Sequence, residues 1–193
     1  MKKMITILTL IIFVSTSAKA SSSTDKLVAA AEAQIGQTLF YDSSYKAIAY
    51  PGGDVSLITG VCADVIIRAY RQLDIDLQKE VHEDMKANFD QYPKIWGLKR
   101  TDRNIDHRRV PNLQKFFERH GTVLAKDKDF KPGDIVTWNL ASKGSTPHIG
   151  IIAKEKSREG TPLVIHNVGW GTKKEDVLFD YTITGHYRYP KKI

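Results

Sequence analysis

The chain has 193 residues, a formal charge of +7 and a single cysteine. Those figures leave room for one domain with a sizeable core and exclude an internal disulfide. The basic excess is mild and scattered, which argues against nucleic acid as a partner.

Residues 1–20 read as a secretory signal: Lys2 and Lys3, an apolar run from Ile5 to Val14, then Ala18-Lys19-Ala20 as a small-x-small cleavage site. The run is too short for a permanent membrane span, so no stable membrane insertion is expected after cleavage behind Ala20. An uncleaved N-terminal anchor is the competing reading. Cleavage removes three lysines and no acid, taking the formal charge from +7 to +4. The mature chain, 21–193, is expected to be a single domain and a monomer, periplasmic or secreted. An idle free thiol is a liability in such an oxidising compartment, which favours a use for Cys62.

Asp25 to Ile35 has a helical pattern, capped by Thr24 or Asp25 and ended by Gly36. Residues 37–59 read as irregular chain with Tyr41, Tyr45 and Tyr50 and the turn Pro51-Gly52-Gly53-Asp54. The next stretch, Gly60 to Leu73, organises the rest. Cys62, Val65, Ile66, Ala69, Tyr70 and Leu73 fall on one helical face, with Asp64, Arg68, Arg71 and Gln72 on the other. Cys62 therefore opens a buried helix, where free N–H groups and the macrodipole favour an ionised, nucleophilic thiolate.

Leu77, Val81 and Met85 suit a second helix within a longer segment, 74–110, that ends in a basic run through His107, Arg108 and Arg109. Pro111 starts a short helix with Leu113, Phe116 and Phe117 inward. From Phe130 onward the period changes to that of strands: 135–138, 148–153, 162–168 and one near 181–189. Helices first and strands afterwards predict an α+β fold, with the nucleophile helix packed on an antiparallel sheet.

A cysteine nucleophile needs a base, and the base an orienting partner. His148 starts one strand and His166 lies near the end of the next. Antiparallel pairing would bring both imidazoles to one sheet edge, beside the helix that carries Cys62. His166 and Asn167 point to opposite faces, so only one of them can serve as the orienter. Asp64 either orients the site or favours the helix N-terminus electrostatically. His107, Arg108 and Arg109 would clamp a substrate carboxylate, unless they only hold the turn before Pro111. Trp96, Trp138 and Trp170 are expected in the core or a groove wall.

These residues carry a resemblance. Cys62-Ala63-Asp64, Pro132-Gly133-Asp134-Ile135-Val136, His148-Ile149-Gly150-Ile151 and Ile165-His166 look like the successive motifs of NlpC-type cysteine peptidases, papain-like enzymes that cut bacterial cell-wall peptides. The resemblance implies Cys62 as nucleophile, His148 as base, His166 as third residue and Tyr50 near the oxyanion. It also implies peptidoglycan or another peptide as substrate, with no cofactor and no metal. Val61-Cys62-Ala63-Asp64 departs from the usual Asp-Cys-Ser-Gly, and 74–110 is longer than a minimal domain needs. More closely, Gly60-Val61-Cys62-Ala63-Asp64, Ile105 to Leu113, His166-Asn167 and Gly185 to Tyr189 resemble domain of unknown function 1287. The competing functions are a zinc protein ligated by Cys62, His148 and His166, a non-catalytic wall- or partner-binding module, and a transferase using the same acyl-enzyme.

Overall fold

The computed structural model describes residues 21–191; the signal segment expected over 1–20 lies outside them. Among the described residues, four α-helices and eight strands make a mixed α+β fold. The helices are α1 (Ser23–Glu32), α2 (Cys62–Arg71), α3 (Leu77–Ala87) and α4 (Val110–His120). Two short strands, β1 (Phe40–Tyr41) and β2 (Thr59–Gly60), pair in parallel just before α2.

The remaining strands are β3 (Thr122–Val123), β4 (Ile135–Asn139), β5 (Pro147–Lys156), β6 (Pro162–Asn167), β7 (Thr172–Glu175) and β8 (Thr182–Arg188). They form one antiparallel sheet in the order β3-β8-β4-β5-β6-β7. Its helix face carries Ile135, Ile149, Ile151, Ala153 and Ile165 against α1, α2 and α4. Val136, Trp138, Ile152 and Val164 form a smaller core with Leu178 on the opposite face. Strand alternation thus sorts neighbouring residues between two cores.

Entry to the sheet is fixed locally. Gly133, at φ +85°, makes the turn into β4. Asp134 is fully buried; it accepts from Lys131 N–H and pairs with His186 and Arg188 of β8. In α1 the cap is Ser22, which bonds Asp25 N–H while Asp25 answers to Ser22 N–H. Asp25 is therefore the third helical residue of a capping box and not the cap.

The polar face expected on α2 is not solvated: every residue from Cys62 to Tyr70 is buried. The 37–59 segment covers it. Arg68 bonds Asp54, Thr38 and the carbonyls of Val55, Ser56 and Thr59, so a buried cation is satisfied by a loop that has few apolar contacts to offer. Gly60 lets this happen, because a Cβ there would lie 3.2 Å from Asp64 Oδ2 and 3.3 Å from Arg68 Nη1.

Candidate functional site

The loop ahead of α2 docks where β5 and β6 end. Registered pairing of those strands reaches Ile151↔Ile165. Beyond it, Asn167 Nδ2 turns to the Gly60 carbonyl (3.1 Å) and its Oδ1 accepts Gly169 N–H. Asn167 pins the loop ahead of Cys62 to the sheet and makes no hydrogen bond to either imidazole.

Its neighbour His166 points to the other face and meets His148, Nδ1 to Nε2 at 2.8 Å. On the far side His166 Nε2 meets Glu175 Oε2 at 3.0 Å. This order fixes the tautomers. A carboxylate only accepts, so His166 Nε2 donates to it; His166 Nδ1 then accepts from His148 Nε2–H. His148 Nδ1 is left as a bare lone pair, which is the requirement for a general base.

Cys62 opens α2 as expected, 3 % exposed. Its sulfur lies by the backbone N–H groups of Ile149 and Ala63 and by the Tyr41 hydroxyl, whose dipoles favour the thiolate. The sulfur thus sits one residue along β5 from His148. Among the described residues no hydrogen bond joins it to either imidazole, so the expected Cys–His–His row is two linked imidazoles and a carboxylate with the thiol held beside them. The face explains this: His148 pairs with Trp138 and packs on it at 5.9 Å between ring centroids, whereas Ile149 faces α2.

Burial also overrides the helix terminus. Desolvation pushes the Cys62 thiol up to about 11, against its backbone donors, and the Asp64 carboxylate adds to the rise. Burial takes His148 down to about 3, with His166 adding to it, and lowers His166 too, against the pull of Glu175. The resting site is therefore a neutral thiol beside neutral imidazoles, where the sequence favours a thiolate. Alkylation tests this. The thiolate fraction at pH 7 falls with the raised value, intrinsic nucleophilicity partly offsets it, and iodoacetamide should react about tenfold more slowly than with a small free thiol. The rate should climb with pH to about 11. A faster reaction than the free thiol at pH 7 would contradict the buried, protonated state.

Asp64 orients neither imidazole. It accepts Val61 N–H (2.7 Å) and takes both Nε and Nη2 of Arg108 at 2.9 Å, in a pair whose side chains are 4 % and 2 % exposed. The predicted three-residue clamp divides. His107 is buried away from the thiol, lowered to about 3 chiefly by burial and then by Arg108 and Arg71. Arg108 is held by Asp64, and Arg109 lies over Trp96, 4.3 Å from the ring centroid. Tyr50 is displaced from the oxyanion role: it packs on His82 and Arg103. Tyr41 stands by the sulfur instead. Trp170 is 82 % exposed rather than in core or groove, while Trp138 is core.

A cavity of about 370 Å³ opens beside the thiol, lined by Cys62, Val61, Tyr41, Tyr45, Trp96, Arg108, Arg109 and Pro147, among others. Sequence reasoning missed Tyr41 and Glu175. Tyr41 was hidden in apparently irregular chain, and Glu175 in a strand too short and polar to show a period. The zinc reading finds no ligand set: among the described residues no three His, Cys, Asp or Glu side chains are placed to share a metal. Nor is any helix there long and apolar enough to cross a membrane.

Comparison with known proteins gives a family. No solved structure matches. The protein called "Uncharacterized protein YijF" from Escherichia coli (strain K12) is 54% identical over 162 residues, which is 82% of this chain and 78% of its own length. The profile of DUF1287, "Domain of unknown function (DUF1287)", matches residues 28–189. With most of its length matched by that profile and by a relative of this identity, the chain belongs to the DUF1287 family.

Proposed function

We propose that this protein is an exported thiol hydrolase of the papain-like, NlpC-type kind that cleaves amide bonds in peptidoglycan peptides. The observation that carries the reading is the His148–His166–Glu175 relay, which leaves His148 Nδ1 as an acceptor one residue from the backbone donor of the only cysteine. His148 packs on the Trp138 face and Cys62 on the α2 face, so in this reading the imidazole turns past the start of β5 to reach the sulfur when substrate binds.

In this reading Cys62 Sγ attacks the amide carbonyl carbon as its proton passes to His148 Nδ1. The oxyanion is met by the N–H of Cys62 at the open start of α2 and by the Tyr41 hydroxyl. The imidazolium, steadied through His166 by Glu175, returns the proton to the leaving amine. Water then attacks the thioester, His148 takes its proton, and the acid departs with the thiol restored.

Mass spectrometry of purified sacculi incubated with wild type and with Cys62→Ala tests this. New amine and carboxyl ends should form with wild type alone. Equal release by Cys62→Ala ends the reading. The buried, protonated thiol favours one competitor, a wall-binding module on the same fold. That module would bind sacculi with Cys62→Ala as well as with wild type and release nothing with either.

A further inference from the structure

Three short stretches of chain meet at the end of the sheet where the thiol lies. Leu39 N–H (2.9 Å) and Phe40 N–H (3.1 Å) both donate to the Ile58 carbonyl, and Thr172 N–H donates to the Thr38 carbonyl at 2.9 Å. Gly171, at φ +81°, closes the approach: a Cβ there would lie 2.4 Å from the Thr38 oxygen and 2.9 Å from Leu39 Cα. Asn167 holds the same corner, since its Oδ1 accepts Gly169 N–H while its Nδ2 donates to the Gly60 carbonyl. One side chain thus fixes both the loop ahead of Cys62 and the tip that carries Trp170.

What these stretches present is apolar and uncovered. Leu39, Phe40, Leu57, Ile58, Val168 and Trp170 are between 44 % and 82 % exposed, and Trp170 is the most exposed large apolar side chain among the described residues. Apolar patches of this kind mark surfaces that bind something. No residue of 35–41, 57–60 or 168–172 is charged, and the flanking charges, Asp42 and Lys173, are of opposite sign. A surface for an anionic bilayer would bring a cluster of cations to the contact; a neutral ligand asks for none. Continuity narrows the choice. β1 holds Tyr41 at the sulfur and Phe40 one position along, about 3.3 Å away. A ligand lying on the patch is therefore the continuation of one that reaches Cys62.

We propose that these six residues form a glycan-binding platform, on which the uncharged, N-acetylated sugar rings that carry the peptide stack while the peptide reaches Cys62. The choice of glycan rests on the hydrolase reading of the substrate, but binding to the platform does not need the thiol. The C–H face of a sugar ring is apolar and faintly positive, which suits the negative face of the Trp170 indole and the Phe40 ring. The acetyl methyl groups suit Leu39 and Ile58. Trp170 is the anchor, because its corner is already fixed by Asn167 and Gly171 and little ordering is left for binding to supply.

The test separates the glycan from the peptide. Wild type and Trp170→Ala are titrated calorimetrically with chitohexaose, an uncharged N-acetylglucosamine oligomer that has no peptide. Wild type should bind it, and Trp170→Ala should bind about tenfold or more weakly, as expected for a tryptophan that anchors a contact. Trp170→Ala should keep the wild-type unfolding midpoint in urea, because so exposed a ring holds little of the fold. No binding of chitohexaose, binding that survives Trp170→Ala, a preference for phosphatidylglycerol vesicles over chitohexaose, or a dimer that sediments with wild type and not with Trp170→Ala overturns the platform. Glycan binding with no release from sacculi by wild type keeps the platform and removes the hydrolase. Cys62-dependent release with no glycan binding removes the platform and keeps the hydrolase.

Discussion

Under the proposed hydrolase mechanism, replacing His148 by alanine should lower kcat for muropeptide cleavage by about two to four orders of magnitude, the range general base catalysis supplies. KM should move little, because His148 is not in the cavity wall. Timed release of new amine ends, read by mass spectrometry, gives both constants. Glu175→Gln should fall between wild type and His148→Ala. A glutamine amide can donate to His166 Nε2, which would turn the relay round and leave the proton on His148 Nδ1. The pH profile carries the same logic. For kcat/KM, which reports the free enzyme, the base must be unprotonated, true above about 3, and the thiol protonated, true below about 11. A broad plateau is expected in place of a narrow bell. Wild-type turnover by His148→Ala would show that this imidazole is not the base.

What could be read from the sequence was what alternation and helical spacing encode. The 3–4 spacing from Cys62 to Leu73 located α2, and the change of period after Phe130 located β4, β5, β6 and β8. The opposite facing of His166 and Asn167 follows from alternation alone, and it assigns one to the imidazole pair and the other to Gly60. Three things were not legible. Asp64 and Arg108 are 44 residues apart, and nothing local marks them as partners. Whether burial or a helix terminus governs a thiol depends on what covers it, and here that is chain from 37–59 and β5. The short strands β1, β3 and β7 have too few residues to display a period, so Tyr41 and Glu175 entered the site unannounced. The 74–110 segment now has a place, since Trp96, Ile105, Arg108 and Arg109 all stand in the cavity wall.

The Asp64–Arg108 pair yields the largest expected change in stability. Arg108→Leu removes the cation and leaves a carboxylate that is 4 % exposed beside the start of α2. Breaking a buried pair from one side costs about 3–5 kcal/mol, measured as the drop in unfolding free energy in urea. Changing both partners should cost far less. In Asp64→Asn/Arg108→Gln the asparagine oxygen can still accept Val61 N–H, and two neutral amides replace the ion pair. The double variant should therefore recover most of what Arg108→Leu loses. Alkylation supplies the link to the site: with the pair broken, the α2 start loosens, water reaches the sulfur, and iodoacetamide should react faster at pH 7 than with wild type. A loss under about 1 kcal/mol in Arg108→Leu would place the pair among surface-like contacts, and an unchanged alkylation rate would show that it does not hold Cys62 in place.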